Sequence, residues 1–133
     1  MKAVKATVCR GLPHGARILA CDNSGARILR IVSVKCHKTR LGRYPAAGVG
    51  DQIMASVVEG KPGMRKQVVA AVIVRQRRPY KRRDGSRVRF EDNAAVIIKD
   101  ELGNPKGTVI KGPIAEEVAE RWPLVAKIAS SVL

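Results

Sequence analysis

The stretch Val68-Val69-Ala70-Ala71-Val72-Ile73-Val74 runs without a polar residue into Arg75-Gln76-Arg77-Arg78-Pro79-Tyr80-Lys81-Arg82-Arg83-Asp84-Gly85-Ser86-Arg87-Val88-Arg89. A continuous apolar run of this length, rich in Val, reads as a strand buried on both faces. The next fifteen residues hold eight basic side chains against one acid, Asp84, and Arg outnumbers Lys seven to one. Such a segment reads as a loop or hairpin extending from the body that the apolar strand enters. Like charges at this density repel unless a counter-charge neutralises them, and the planar guanidinium fork suits bidentate contact with phosphate. The competing reading is a solvated charged loop.

The flanks extend the β reading. Upstream, Ala16-Arg17-Ile18-Leu19-Ala20-Cys21 meets the turn Asp22-Asn23-Ser24-Gly25, and Arg27-Ile28-Leu29-Arg30-Ile31-Val32-Ser33-Val34 resumes, predicting a β-hairpin with a four-residue loop. Gln52 to Val58 gives another strand, and Gly60-Lys61-Pro62-Gly63 turns the chain again. Downstream, Arg87-Val88-Arg89-Phe90 alternates in period two, and Ala94-Ala95-Val96-Ile97-Ile98 is the last clear core strand. Short strands with turns between them predict a mainly β fold, a small closed barrel with a protruding basic loop. The tail changes period. Gly112-Pro113 resembles a helix start, with Pro at the first helical position and Glu116 and Glu117 in the first turn. Trp122-Pro123 should break that helix. Leu124, Ile128 and Val132 then predict a second short amphipathic helix. The chain therefore reads as one domain, 1–133, with a basic barrel over 1–111 and a helical region over 112–133.

Charge narrows the partners. The 133 residues carry 26 Lys and Arg against 11 Asp and Glu, a formal net charge of +15. Residues 1–90 hold 21 basic and 4 acidic side chains; residues 91–133 hold 5 and 7. One part is built for a polyanion and the other is not. No apolar run reaches the ~18 residues of a transmembrane helix. Met1-Lys2-Ala3-Val4-Lys5 lacks the apolar stretch of a signal peptide, and no polybasic segment sits beside an amphipathic helix. Nucleic acid is the expected partner. Cys9, Cys21 and Cys36 form an odd set without framework spacing, which suggests a reducing compartment.

A second basic set, Lys35, His37, Lys38, Arg40 and Arg43, lies where Gly42, Gly48 and Gly50 would let the backbone approach a ligand. A third and weaker one is Lys61, Arg65 and Lys66. Cys36-His37 invites a metal reading, but Cys9, His14 and Cys21 lack the paired short spacings of a zinc site, so no metal or cofactor is expected. Glu91-Asp92 and Asp100-Glu101 are adjacent pairs that would point to opposite faces of a strand, and read as turns. Neither a phosphate loop ending in Gly-Lys-Ser/Thr nor a Gly-x-Ser-x-Gly elbow occurs, so no enzyme is expected. The aromatics are Tyr44, Tyr80, Phe90 and Trp122. Four scattered rings suit base stacking poorly; contact with the backbone and shape of folded RNA suits a basic barrel better.

Several segments resemble the universal large-subunit ribosomal protein fourteen family: Cys21-Asp22-Asn23-Ser24-Gly25-Ala26, Ala71-Val72-Ile73-Val74-Arg75, Arg83-Asp84-Gly85-Ser86 leading to Arg89-Phe90-Glu91-Asp92-Asn93-Ala94, and Lys106-Gly107-Thr108 through Lys111-Gly112-Pro113-Ile114-Ala115. Trp122-Pro123 and the Arg75 to Tyr80 segment look like the archaeal and eukaryotic branch. The resemblance implies a five-stranded barrel, and a cytoplasmic ribosomal protein that binds large-subunit rRNA and neighbouring ribosomal proteins. It further implies a place at the intersubunit interface, contact with small-subunit rRNA at bridges, and docking of subunit anti-association factors on the C-terminal part. Expected RNA contacts are Arg75, Arg77, Arg78, Lys81, Arg82, Arg83, Arg87 and Arg89, then Lys35, Lys38, Arg40 and Arg43. Asn23 and Ser24 are polar turn residues that a turn role alone would explain. Expected protein contacts are Glu116, Glu117, Glu120, Arg121 and Trp122, although a lone aromatic at a helix end also suits a packing anchor. The competing function is a free RNA-binding translation factor or RNA chaperone. The loop 76–84 is expected to be mobile in the free protein because its charge opposes compaction.

Overall fold

A computed structural model of the chain describes residues 2–37, 41 and 44–133. Along the chain run β1 (Ala6–Thr7), β2 (Leu12–Pro13), β3 (Arg17–Ala20), β4 (Ala26–Val34), β5 (Ala46–Ala47), β6 (Gln52–Gly60) and β7 (Val68–Arg75). They are followed by β8 (Tyr80–Arg82), β9 (Arg87–Val88), β10 (Ala94–Ile98), β11 (Pro113–Ile114), α1 (Glu116–Arg121), α2 (Pro123–Ala126) and β12 (Ser131–Val132).

Five strands close a barrel in the order β10-β3-β4-β6-β7. Antiparallel pairing runs from β3 through β7 to β10, and β10 closes onto β3 in parallel, with Ala94 opposite Leu19. Strand alternation sends Ile18, Leu29, Ile31, Ile53, Ala55, Val57, Ala71, Ile73, Ala95 and Ile97 into the barrel, where all are buried. The alternate residues of β7 and β10, Val72, Val74, Val96 and Ile98, face outward and are buried as well. They form a second core with Tyr80, Phe90, Ile114, Val118, Trp122 and Val125. The unbroken apolar run of β7 thus has its cause: the barrel fills one face and the tail covers the other.

Three expectations differ from the structure. The β3–β4 hairpin pairs only as far as Leu19 and Ile28, so the connection is longer than a four-residue loop. Cys21 turns away from β4, donates its amide to Ala95 O and accepts from the Lys111 amide, and Asp22 bridges to Ile110. Pro113 does not open a helix: Pro113 and Ile114 pair in parallel with Ser131 and Val132, and α1 starts at Glu116 after an extended Ala115. The Ala115 amide donates to Val74 O, tying this strand to the end of β7. The second helix stops at Ala126, and Val132 lies on β12. Periodicity suggested a longer helix there, but the last residues complete a sheet whose other strand lies far back in sequence.

Candidate nucleic-acid interface

The basic segment folds as a hairpin, β8 against β9, with β1 added along β8. Its tip turns on Gly85, at φ 88°, where the left-handed backbone favours glycine. There Asp84 Oδ1 accepts from the Ser86 amide at 2.9 Å and the Ser86 hydroxyl at 2.6 Å. Those bonds, the hydroxyl first, hold the Asp84 carboxyl below its ordinary pKa. The base is pinned by Gln76, whose side chain is fully buried. Its Oε1 accepts from the Val49 amide at 3.0 Å, and its Nε2 donates to Arg78 O at 2.8 Å and Cys9 O at 3.1 Å. The Arg77 amide donates to Asn93 Oδ1 at 2.8 Å. A neutral amide between charged neighbours, the weakest-looking residue of the segment, is its anchor.

On this frame Arg77, Arg78, Lys81, Arg83, Arg87 and Arg89 are exposed, and none has an ion-pair partner among the described residues. Arg75 and Arg82 turn the other way. Arg75 is 7% exposed. Its Nε and Nη2 grip the two Asp92 oxygens at 2.8 and 3.0 Å, and its Nη1 donates to Lys111 O and Pro113 O at 2.9 and 2.8 Å. Arg82 Nε donates to Glu117 Oε1 at 2.8 Å, and its Nη2 to Leu133 O at 2.6 Å. The Tyr80 hydroxyl donates to Glu117 Oε2 at 2.7 Å. Burial pushes the Glu117 carboxyl up, but the bonds from Arg82 and then Tyr80 outweigh it, and the net pKa is lowered. The same carboxylate raises the Arg82 pKa, while burial first and Glu117 second raise that of Tyr80. The two arginines expected among the RNA contacts therefore fasten the hairpin and β7 to the tail, because the tail packs where their side chains would otherwise meet solvent.

Lys35 is exposed and lies 2.8 Å from Glu101, a solvated pair of the kind that holds little energy. Lys38, Arg40 and Arg43 lie outside the described residues. His37 Nδ1 accepts from the Ala46 amide at 3.1 Å, and no group of three His, Cys, Asp or Glu could hold a metal among the described residues. The tail candidates divide. Glu116 is exposed, 3.8 Å from Arg82; Glu120 pairs with Lys5 at 3.6 Å, and Arg121 with Asp51 at 3.4 Å. Glu117 and Trp122 are buried and so are not surface groups. Trp122 Nε1 donates to Gly50 O at 2.9 Å, and its ring covers Gly103 so closely that a Cβ there would stand 2.5 Å from Cε3. Asn23 is a latch: its Oδ1 accepts from the Thr108 amide at 2.7 Å and its Nδ2 donates to the Thr108 hydroxyl at 2.8 Å. Sequence reasoning passed over Arg17, Arg27 and Arg30, exposed cations on β3 and β4. The signal at Arg17 and Arg30 is the outward phase of strand alternation; Arg27 falls out of that phase, where the pairing of β4 is irregular between Ala26 and Leu29.

Residues 11–133 match the family model described as ribosomal protein L14p/L23e. The chain belongs to that family. Proteins called large ribosomal subunit protein uL14 share its full length: that of Halobacterium salinarum is 54% identical over 133 residues, covering 100% of both chains. The Methanococcus maripaludis protein is 52% identical over 132 residues, covering 99% of each. The Nanoarchaeum equitans protein is 49% identical over 133 residues, again covering 100% of both. These relatives are archaeal, in agreement with the branch that Trp122-Pro123 and the Arg75 to Tyr80 segment suggested. The five-stranded barrel is the fold that the family resemblance implied.

Proposed function

We propose that this protein is a non-enzymatic, structural constituent of the large subunit of the cytoplasmic ribosome, holding rRNA by its phosphates. The observation that carries the reading is the unpaired cation set of the hairpin, Arg77, Arg78, Lys81, Arg83, Arg87 and Arg89, on a base that Gln76 makes rigid. Pre-organised guanidinium groups lose less entropy on meeting phosphate than groups on a free loop. Lys35 and the segment with Lys38, Arg40 and Arg43 extend the same role. The full-length likeness to large-subunit proteins favours a resident constituent over a free translation factor or RNA chaperone.

The family resemblance supports two finer roles: a share of the intersubunit interface, including small-subunit rRNA, and docking of anti-association factors on the near-neutral tail. There Glu116, Glu120 and Arg121 carry the contact. Sedimentation of a cell extract in moderate and then high salt tests the main reading. Co-migration with large subunits after the salt wash is the expected result. Release to the top of the gradient would instead favour the free factor.

A further inference from the structure

The tail and the hairpin cover the outer wall of the barrel only along β7 and β10. Among the described residues nothing covers the wall of β3, β4, β6 and the start of β7, and four large apolar side chains project from it. Leu19 is 45% exposed, Val32 42%, Met54 38% and Val68 57%. Pairing register sets them around a single row, Arg17 opposite Arg30, Arg30 opposite Ser56, and Ser56 opposite Val68. Like charges directly opposite across antiparallel strands destabilise a sheet. Neither Arg17 nor Arg30 has a carboxylate within ion-pair distance among the described residues, and the residues outside that set include no acid.

We infer that this bare wall is a docking surface for another protein, one that lays apolar side chains over Leu19, Val32, Met54 and Val68 and sets a carboxylate between Arg17 and Arg30. The inference rests on the reading as a subunit constituent. Charge and apolarity together select the occupant. Nucleic-acid interfaces are strongly polar and positively charged, and RNA offers phosphates and flat base faces but no aliphatic side chains to match this strip. Met and Arg among apolar neighbours are what the cores of protein interfaces favour. A second copy of this chain is a poor occupant: a two-fold contact sets this patch against itself, so arginines would meet arginines in a chain of net charge +15.

The test places a photoreactive benzophenone amino acid at Val32, and separately at Val68, in tagged protein within cells, with Arg78 as the RNA-facing control. Large subunits are purified and irradiated. Protein adducts at both wall positions, mapping to a segment with Asp or Glu among apolar residues, are expected, with RNA adducts at Arg78. The paired substitutions Arg17→Glu and Arg30→Glu should lower the wall adducts by about tenfold or more, since a desolvated charge pair becomes a repulsion. RNA adducts at Val32 and Val68, or none while Arg78 reacts, would overturn the inference and leave the proposed function standing. Absence of the unsubstituted protein from large subunits would overturn both.

Discussion

At the scale of single residues, ordinary-looking positions carry the architecture. Glu117 takes a proton donor from each of two directions, and its pKa falls below the usual 4.5. A carboxyl whose pKa is depressed by folding stabilises the fold above its unfolded value, and that contribution fades as pH falls through the folded value. Glu117→Gln should therefore destabilise the protein by about 2–3 kcal/mol near neutrality, where it removes the charge and one of the two acceptor oxygens that Arg82 and Tyr80 share and sets an amide donor in its place. Thermal melts should show the gap to wild type narrowing as pH drops below 4.5; a pH-independent gap would mean that packing matters and charge does not. Gly103→Ala is a second test. Its φ of 91° and the Trp122 ring against it leave no room for a Cβ. The expected loss is about 2 kcal/mol or more by denaturant melt, from backbone strain and overpacking.

Among the elements, the basic segment from the end of β7 through the hairpin divides its arginines between two tasks. Arg75→Gln breaks a bidentate pair with Asp92 and two bonds to tail carbonyls, and should cost stability of about 3 kcal/mol. Arg78→Gln and Arg87→Gln alter exposed side chains and should leave the melting temperature nearly unchanged while weakening RNA binding. Equal loss of stability in all three would contradict this division. The ties at Gln76 and Asn93 also locate the freedom of the segment. Limited trypsin digestion of the free protein should cut at Arg83, beside the exposed turn, before Arg77; Arg78 is no probe, since the Arg78–Pro79 bond resists trypsin in any conformation. Earlier cutting at the base would show that the buried amide does not hold it.

For the molecule as a whole, electrostatics should dominate RNA affinity. Replacing Arg77, Arg78, Arg83, Arg87 and Arg89 by Gln should flatten the dependence of binding on salt by about 0.7–0.9 logarithmic units for every phosphate no longer neutralised. Titrations of an rRNA fragment over a range of salt concentrations would measure the slope. An unchanged slope would move the phosphate-binding role elsewhere on the basic surface.

Much of this was legible in one dimension. Alternating and continuous apolar runs at Ile18, Ile53, Val72 and Val96 placed the barrel strands, because period and β-branching are local properties. Charge density marked the hairpin for the same reason, and the motifs from Cys21 to Ala26 and from Ala71 to Ala94 carried the family. What local pattern could not determine was which way a charged side chain turns. Arg75 and Arg77 look alike in sequence, yet one binds Asp92 beneath the tail and the other faces solvent. Glu116 and Glu117 divide in the same way, as do the helix suggested by Val132 and the strand it joins. Composition and periodicity determined the barrel strands, the charge and the partner class; only tertiary structure decided burial and the short strands of the tail, since these depend on segments distant in sequence arriving at the same wall of the barrel.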